Sequence, residues 1–299
     1  MTKAGSFYRK EFCRLCESAN IKQALKLTPT PPGNNFLSGE NLHMVEEVFP
    51  LELQFCEDCH HIQLGHVVDP EFLFQNNYSY VSSTSRVFVK HLEEYANNIS
   101  ERINLNRNSF IIDIGSNDGT CLSFFKQKKM QVLGVDPAEE VSQIANDNGI
   151  NTLNDFFNKD VANKIKDQYG QADLITSHNA CAHIDDLRSV IDGIDILMGN
   201  EGIFIMEVGY FVDVFENKWF DTIYHEHVDF HTVAPLKKLF EIYGMEIFDV
   251  QRIEPQGGSI RVMVQRKKGR LKIEDNVCLL YTSDAADEGL GVDLGGRRI

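Results

Sequence analysis

The chain has 299 residues, 42% of them hydrophobic and 24% charged, enough for two domains and a sizeable core. A net charge of -15 without a long basic run argues against binding to a nucleic-acid backbone. No uninterrupted apolar stretch of about 18 residues occurs, and the first residues, Met1 to Lys10, lack the apolar core of a signal peptide. The expectation is therefore a cytoplasmic protein with no membrane span.

Two cysteine pairs come first, Cys13-x-x-Cys16 and Cys56-x-x-Cys59. In a reducing compartment such pairs read as metal ligands rather than disulfides. Four thiolates close a tetrahedron around zinc and leave no open position, so the metal is expected to be structural. His60, His61 and His66 lie close enough to compete, although the four cysteines suffice. Between the pairs, Thr28 to Phe36 is a proline-rich extended and turning run. Val48 to Phe55 alternates as a strand, and Ile62 to Val68 is its answering strand. Together these make a metal-held module over 8–72.

The connector 73–108 holds Tyr78 and Tyr80, which share a face if the run is extended and serve either packing or a substrate. Ser85 can cap a helix with Phe88, Leu92, Tyr95, Ile99 and Ile103 on its apolar face.

From 109 to 215 strands and helices alternate. Phe110 to Ile114 reads as a buried parallel strand, and it feeds a turn containing Gly115, Asn117, Asp118 and Gly119 ahead of an apolar helix. A glycine turn at a helix N-terminus cradles a nucleotide-like cofactor, although the spacing is not the G-x-G-x-x-G of dinucleotide sites. Asp113 suits a cofactor with a cationic amino-acid end. The second strand, Val132 to Asp136, ends in an acid placed to meet a ribose. A helix over 137–148 and strands at Ile150 to Leu153, Ala172 to Ser177 and Gly202 to Val208 complete an α/β, Rossmann-like, doubly wound sheet. His178 and Asn179 fall at the carboxyl end of the fourth strand, where ligands bind in such folds.

Pro235 to Tyr243 reads as a helix capped by Gly244, and 245–252 and 259–265 as strands. Cys278 to Glu288 and Val292 to Ile299 match successive parts of one reading frame of a common transposon sequencing adapter. Residues 278–299 are therefore set aside as an adapter-derived, non-native tail.

The ordered set of Asp113, Gly115, Asn117, Asp118 and Gly119, then Gly134 and Asp136, Asp155 with Phe156 and Phe157, and His178 with Asn179 resembles class I S-adenosylmethionine-dependent methyltransferases. By that resemblance the turn holds the methionine end, Asp136 the ribose, and the Asp155–Phe156 region lies near adenine. The cysteine module, the Tyr-x-Tyr-x-Ser-Ser segment, Tyr224-His-Glu-His227 and Gly257-Gly-Ser-Ile-Arg261 further resemble the zinc-containing nucleotide-sugar C-methyltransferases, although Gln256 stands where that family has histidine. The implied substrate is a nucleotide-linked 4-keto-deoxyhexose. The resemblance also implies that 216–277 begins a further α/β domain. A strand pair cut from its sheet exposes an edge, so the product is expected to be poorly soluble or weakly active.

Such a reaction needs a base for the hydrogen beside the ketone and donors for the enolate oxygen. The resemblance assigns His227 as the base, with Tyr224, Glu226 and His183 as orienters, oxyanion donors or substrate contacts. An extended 224–227 run would put His225 and His227 on one face. O-methylation of a sugar or other metabolite, and a non-enzymatic zinc- and cofactor-binding role, stay open. The sequence leaves the oligomeric state open.

Overall fold

A computed structural model describes residues 7–34, 36–37, 39–75 and 80–289. Tyr78 lies outside them. The N-terminal module contains β1 (Phe7–Arg9), β2 (Ile21–Thr30), β3 (Phe49–Cys56), β4 (Ile62–Leu64) and β5 (His66–Val68). Then follow α1 (Arg86–Arg102), β6 (Phe110–Ile114), α2 (Thr120–Gln127), β7 (Gln131–Val135), α3 (Glu139–Asp147), β8 (Thr152–Leu153), α4 (Lys159–Tyr169) and β9 (Ala172–His178). The chain continues through α5 (Leu187–Leu197), β10 (Met198–Gly209), α6 (Phe211–Asn217), β11 (Asp229–Phe230), α7 (Val233–Ile242), β12 (Met245–Ile253), β13 (Ser259–Arg266) and α8 (Asp275–Gly289). Among the described residues no helix is long and apolar enough to cross a membrane.

Seven strands form the central sheet in the order β12-β13-β10-β9-β6-β7-β8. All five residues of β6 are buried, as its near-continuous apolar run requires for a strand covered on both faces. The strands β6 to β10 pair in parallel, while β13 runs antiparallel to both neighbours. The order reverses between β6 and β9, and the crevice at their carboxyl ends is where this architecture binds ligands.

The sheet corrects one expectation. The strands near 245–266 do not begin a separate α/β domain cut from its sheet. The β13 strand pairs with β10 from Ile203↔Gln265 to Gly209↔Ser259, and β12 then pairs with β13. Their apolar faces complete the core with Ile260, Val262 and Val264. Among the described residues both strands are thus paired within the central sheet, with β12 at its edge.

The α1 helix is capped by Ser85, whose hydroxyl accepts from the Phe88 amide. It buries Phe88, Leu92, Tyr95, Ala96 and Ile99, the helical stripe read from the sequence. The α8 helix runs from Asp275 into the adapter-like stretch, where Leu280 packs on the core.

The N-terminal module shares its packing with the rest. Strand β2, not anticipated, pairs with β3, and β5 pairs with β1. The four-stranded sheet β11-β4-β3-β2 takes its last strand from residues 229–230. Asp185 anchors the module from the other side, accepting from Arg14 Nε at 2.8 Å and Lys10 Nζ at 3.1 Å.

Candidate functional site

A cavity of about 830 Å³ opens at the carboxyl ends of β6, β7 and β9. That volume is within the range of ligand pockets. Gly115 (φ +71) and Asn179 (φ +56) turn the chain away from β6 and β9 on either side of the crevice. A Cβ on Gly115 would stand 2.3 Å from Ala180 Cβ, so the two turns meet where only glycine fits. Asp113 lines the cavity, and its Oδ1 is buried without a partner. Burial raises Asp113 to about 7, although His178 opposes the shift. A cationic group is the natural partner for such an oxygen.

Asp136 sits across the cavity at the end of β7. Its carboxylate accepts from the Asn117 amide at 2.8 Å and the Ala138 amide at 2.9 Å, which fixes its direction and leaves lone pairs for a diol. Phe156, Asn179 and His178 also line the cavity. An orphaned acid, a turn closed to side chains and a second-strand acid fit an S-adenosylmethionine cofactor.

The opposite wall carries Tyr224, Glu226, His227 and His183. The run is not extended. The His227 amide donates to Tyr224 O at 3.0 Å and closes a tight turn. The turn brings its two ends together, so Tyr224 Oη meets His227 Nε2 at 3.1 Å. His227 donates Nδ1–H to Thr222 O at 2.8 Å, which leaves Nε2 as the lone-pair nitrogen. Burial lowers its pKa, only partly offset by the Thr222 carbonyl. His183 packs its ring 4.9 Å from that of His227 and donates Nδ1–H to Glu226 O at 2.8 Å. Burial and the neighbouring His227 push His183 down to about 3, so it stays neutral.

His225 corrects the expectation of a shared face with His227. The turn sends it into the protein, fully buried against Phe49 and 3.3 Å from the Phe49 carbonyl oxygen. It does not line the cavity, and neither do Asp118, Gly119 and Asp155. Gly119 is the N-cap of α2, and Asp118 binds the first turn of that helix through Thr120. Asn117 and Tyr80 do line the cavity, but the Asn117 side chain is spent on the connector: Nδ2 donates to Tyr80 O and Oδ1 accepts from the Ser82 amide.

Several site residues carry no signal in the sequence. Asn34, in the proline-rich run, donates Nδ2–H to both Glu226 oxygens, at 2.8 and 2.9 Å. Burial raises the Glu226 pKa, and Asn34 opposes it. Beneath His178 lies a buried network centred on Glu207, which accepts from Arg261 Nε at 2.6 Å, His91 Nε2 at 2.7 Å and His178 Nδ1 at 3.0 Å. Burial alone would raise Glu207, but His178, His91 and Arg261 together hold it well below the usual carboxylate range. Of this network the sequence points to His178, at the end of the fourth strand, and to Arg261, as part of the Gly257–Arg261 run, but not to Glu207 or His91.

The four cysteine sulfurs of Cys13, Cys16, Cys56 and Cys59 lie within 4.8 Å of one another. Cys13 and Cys59 are 3.4 Å apart, and Cys16 and Cys56 are 3.6 Å apart. Zinc–sulfur bonds of about 2.3 Å place tetrahedral sulfurs roughly 3.8 Å from one another. The cluster therefore fits a closed, structural zinc centre. His61 is no competitor, because its ring turns to Asp229, and Nε2 lies 2.6 Å from Asp229 Oδ1.

Comparison with known proteins agrees with this geometry. A family model described as "Methyltransferase domain" matches residues 85–250, and one described as "Putative zinc binding domain" matches 13–74. The C-methyltransferase NovU of Streptomyces niveus is 34% identical over 250 residues, covering 84% of this chain and 59% of that protein. The chain thus spans about three-fifths of the length of this curated relative. An S-adenosylmethionine-dependent methyltransferase from Anabaena variabilis superposes with a TM-score of 0.48 at 17% identity, covering 59% of this chain and 85% of that one. The magnesium protoporphyrin IX methyltransferase of Synechocystis PCC 6803, with bound SAH, gives 0.47 at 15% identity, covering 60% and 83%. The domain match takes in more than half of the residues, and the chain belongs to the methyltransferase-domain family, with a zinc-binding domain ahead of it.

Proposed function

We propose that the protein is an S-adenosylmethionine-dependent C-methyltransferase acting on a nucleotide-linked 4-keto-deoxyhexose. The observation that carries this reading is the Tyr224–His227 turn. It presents a neutral imidazole, fixed through Nδ1, on the same cavity as Asp113 and Asp136. The likeness to a named C-methyltransferase supports the reaction class.

In this reading Asp113 meets the cationic end of the cofactor, Asp136 its ribose, and the Phe156 region its base. When bound, S-adenosylmethionine supplies an electrophilic methyl group. The proton beside the ketone passes to His227 Nε2, the C–H electron pair becomes the carbon–carbon double bond of the enolate, and the carbonyl π pair moves onto oxygen. Tyr224 releases its hydrogen bond to Nε2 and turns it to the enolate oxygen. Glu226, held by Asn34, orients the substrate hydroxyls, and His183 buttresses the His227 ring. The enolate carbon is then the nucleophile, and alignment against the methyl group governs the rate.

The test is solvent-deuterium uptake at the carbon beside the ketone of a nucleotide-linked 4-keto-deoxyhexose, followed by NMR. The native chain should catalyse uptake and His227→Ala should not. Methyl transfer to the reduced alcohol without any uptake would instead favour O-methylation. A folded native chain that shows neither exchange nor transfer would leave only the binding-protein reading.

A further inference from the structure

Asn117 adopts φ +51 in the cofactor turn, a left-handed conformation that glycine takes freely and asparagine tolerates. Its side chain is directed into the protein, with 6% of the residue exposed. It does not spend its two hydrogen-bonding ends on the cavity. Nδ2 donates to Tyr80 O at 3.0 Å, and Oδ1 accepts from the Ser82 amide at 2.8 Å. The neighbouring Asp118, 5% exposed, accepts from the Ser83 amide at 3.0 Å through Oδ2. Its Oδ1 meanwhile takes the Thr120 amide and hydroxyl at the head of α2.

Ser82–Thr84 is a single 3-10 turn whose own N-cap, Val81, supplies no side-chain bond. The first amides of a helical turn have no acceptor within it. Here the acceptors come from a segment about 35 residues away, as the Ser82 to Asn117 pairing shows. Directly after this turn, Ser85 starts α1, which brings Phe88 and Leu92 to the cavity wall beside Tyr80 and Ser82. The backbone of Asn117 is in turn pinned by Asp136, through its amide at 2.8 Å.

We infer that Asn117 and Asp118 form a latch that couples the cofactor turn to the wall of the cavity made by residues 80–92. The side chains are positioning residues, and they account for the replacement of the usual glycine spacing by Asn-Asp-Gly. Filling the cofactor site stiffens Asp136 and the turn, and the latch passes that order to Tyr80, Ser82 and the head of α1. The wall facing the methyl acceptor is then complete only when cofactor is present. The inference rests on the cofactor reading of the turn and not on the identity of the acceptor.

Asn117→Gly tests it, because glycine accepts the same φ, keeps the amide bond to Asp136 and the Asp118 bond to Ser83, and removes only the Asn117 half of the latch. Hydrogen–deuterium exchange is followed over residues 80–92 with and without S-adenosylhomocysteine, alongside its affinity by calorimetry. In the native chain the ligand should slow exchange at the Ser82 and Ser83 amides. In Asn117→Gly the Ser82 amide should exchange at least about tenfold faster and lose most of its ligand response, with a smaller change at Ser83, which Asp118 still holds, while the dissociation constant moves less than about threefold. Asn117→Asp keeps the acceptor for Ser82 and loses the donor to Tyr80, so it should recover the protection of Ser82. KM for the acceptor should rise in Asn117→Gly more than kcat falls.

Unchanged exchange at 82–83 in Asn117→Gly overturns the latch. So does an affinity for S-adenosylhomocysteine that falls in step with the protection, since Asn117 would then be a simple cofactor contact. If the native chain binds no S-adenosylhomocysteine, the cofactor reading and the ligand coupling fail together. The ligand-free comparison of the three chains separately decides whether the side chain holds the segment.

Discussion

His61 Nε2 lies 2.6 Å from Asp229 Oδ1, with both side chains shut off from solvent. His61 stands two residues after the second cysteine pair, and Asp229 two residues after His227. The same two stretches are tied by backbone: β11 pairs with β4, and the Leu64 amide donates to Val228 O at 2.9 Å. The metal site and the Tyr224–His227 turn thus adjoin strands of one four-stranded sheet, at the end of β3 and ahead of β11. Removing zinc, by a chelator or by Cys56→Ser, is expected to raise amide exchange across 224–231 and to lower turnover. His61→Ala should do the same with one zinc still bound per chain. It leaves a buried carboxyl without its partner, at a cost of about 1–3 kcal/mol in denaturant titration. Retained protection at 224–231 in zinc-free protein would separate the two sites.

Arg261→Ala leaves Glu207 buried with one fewer cation against it. The side chains of Glu207 and Arg261 are 1% and 9% exposed, so water offers little compensation. Breaking a buried pair from one side costs about 3–5 kcal/mol, and the loss should be measurable by urea unfolding. The variant also leaves the carboxylate that holds His178 Nδ1 less restrained, so cofactor affinity should fall. Stability within about 0.5 kcal/mol of the native chain would show that His91 and His178 hold Glu207 unaided.

The pH dependence follows from the direction of the His227 shift. Burial disfavours the imidazolium and places its pKa below the ordinary value. The base is active when neutral, so proton exchange should be full at neutral pH and fall only as pH drops through that lowered value. The acid limb of kcat/KM is expected below about 6.5. Burial and Glu226 both raise Tyr224 above its usual range. Its hydroxyl should therefore impose no alkaline limb below about pH 10. A profile falling between pH 7 and 8 would point to a different base.

The sequence displays the parts of this protein that depend on local pattern. A strand, a glycine turn and a helix at 110–127 need only a buried apolar run and a positive φ at Gly115, and both are visible in single residues. The four cysteines are legible for a similar reason, because metal ligation fixes their spacing. What was misread depends on partners distant in sequence. Strand β13 alternates equally well for a new sheet or for the edge of the old one, and only its pairing with β10 decides. A shared face for His225 and His227 holds only for an extended run, whereas the bond from the His227 amide to Tyr224 O makes it a turn and buries His225. Asn34 and Glu207 sit in stretches with no chemical motif, and each acquires a role only from partners on other elements, Glu226 for Asn34 and His91, His178 and Arg261 for Glu207.

Gly115→Ala should damage the cofactor site more than any exposed change nearby. The position has φ +71, and an added Cβ would lie 2.3 Å from Ala180 Cβ, so the backbone of one turn must move. That movement breaks the bonds from the Gly115 and Ser116 amides to Val135 O, at 2.9 and 3.3 Å, which set the position of Asp113 against Asp136. Gly170→Ala supplies the control. It has φ +86 and nothing within 4 Å of the added Cβ, so it meets the conformational penalty without the collision. The control is expected to lose about 1–3 kcal/mol of stability, its backbone (φ +86, ψ -159) being one that essentially only glycine adopts, and no affinity for S-adenosylhomocysteine. Gly115→Ala is expected to lose at least about 3 kcal/mol and at least a hundredfold in affinity, by calorimetry on folded protein. Equal affinity in the two variants would mean that the contact between the β6 and β9 turns does not shape the cofactor site.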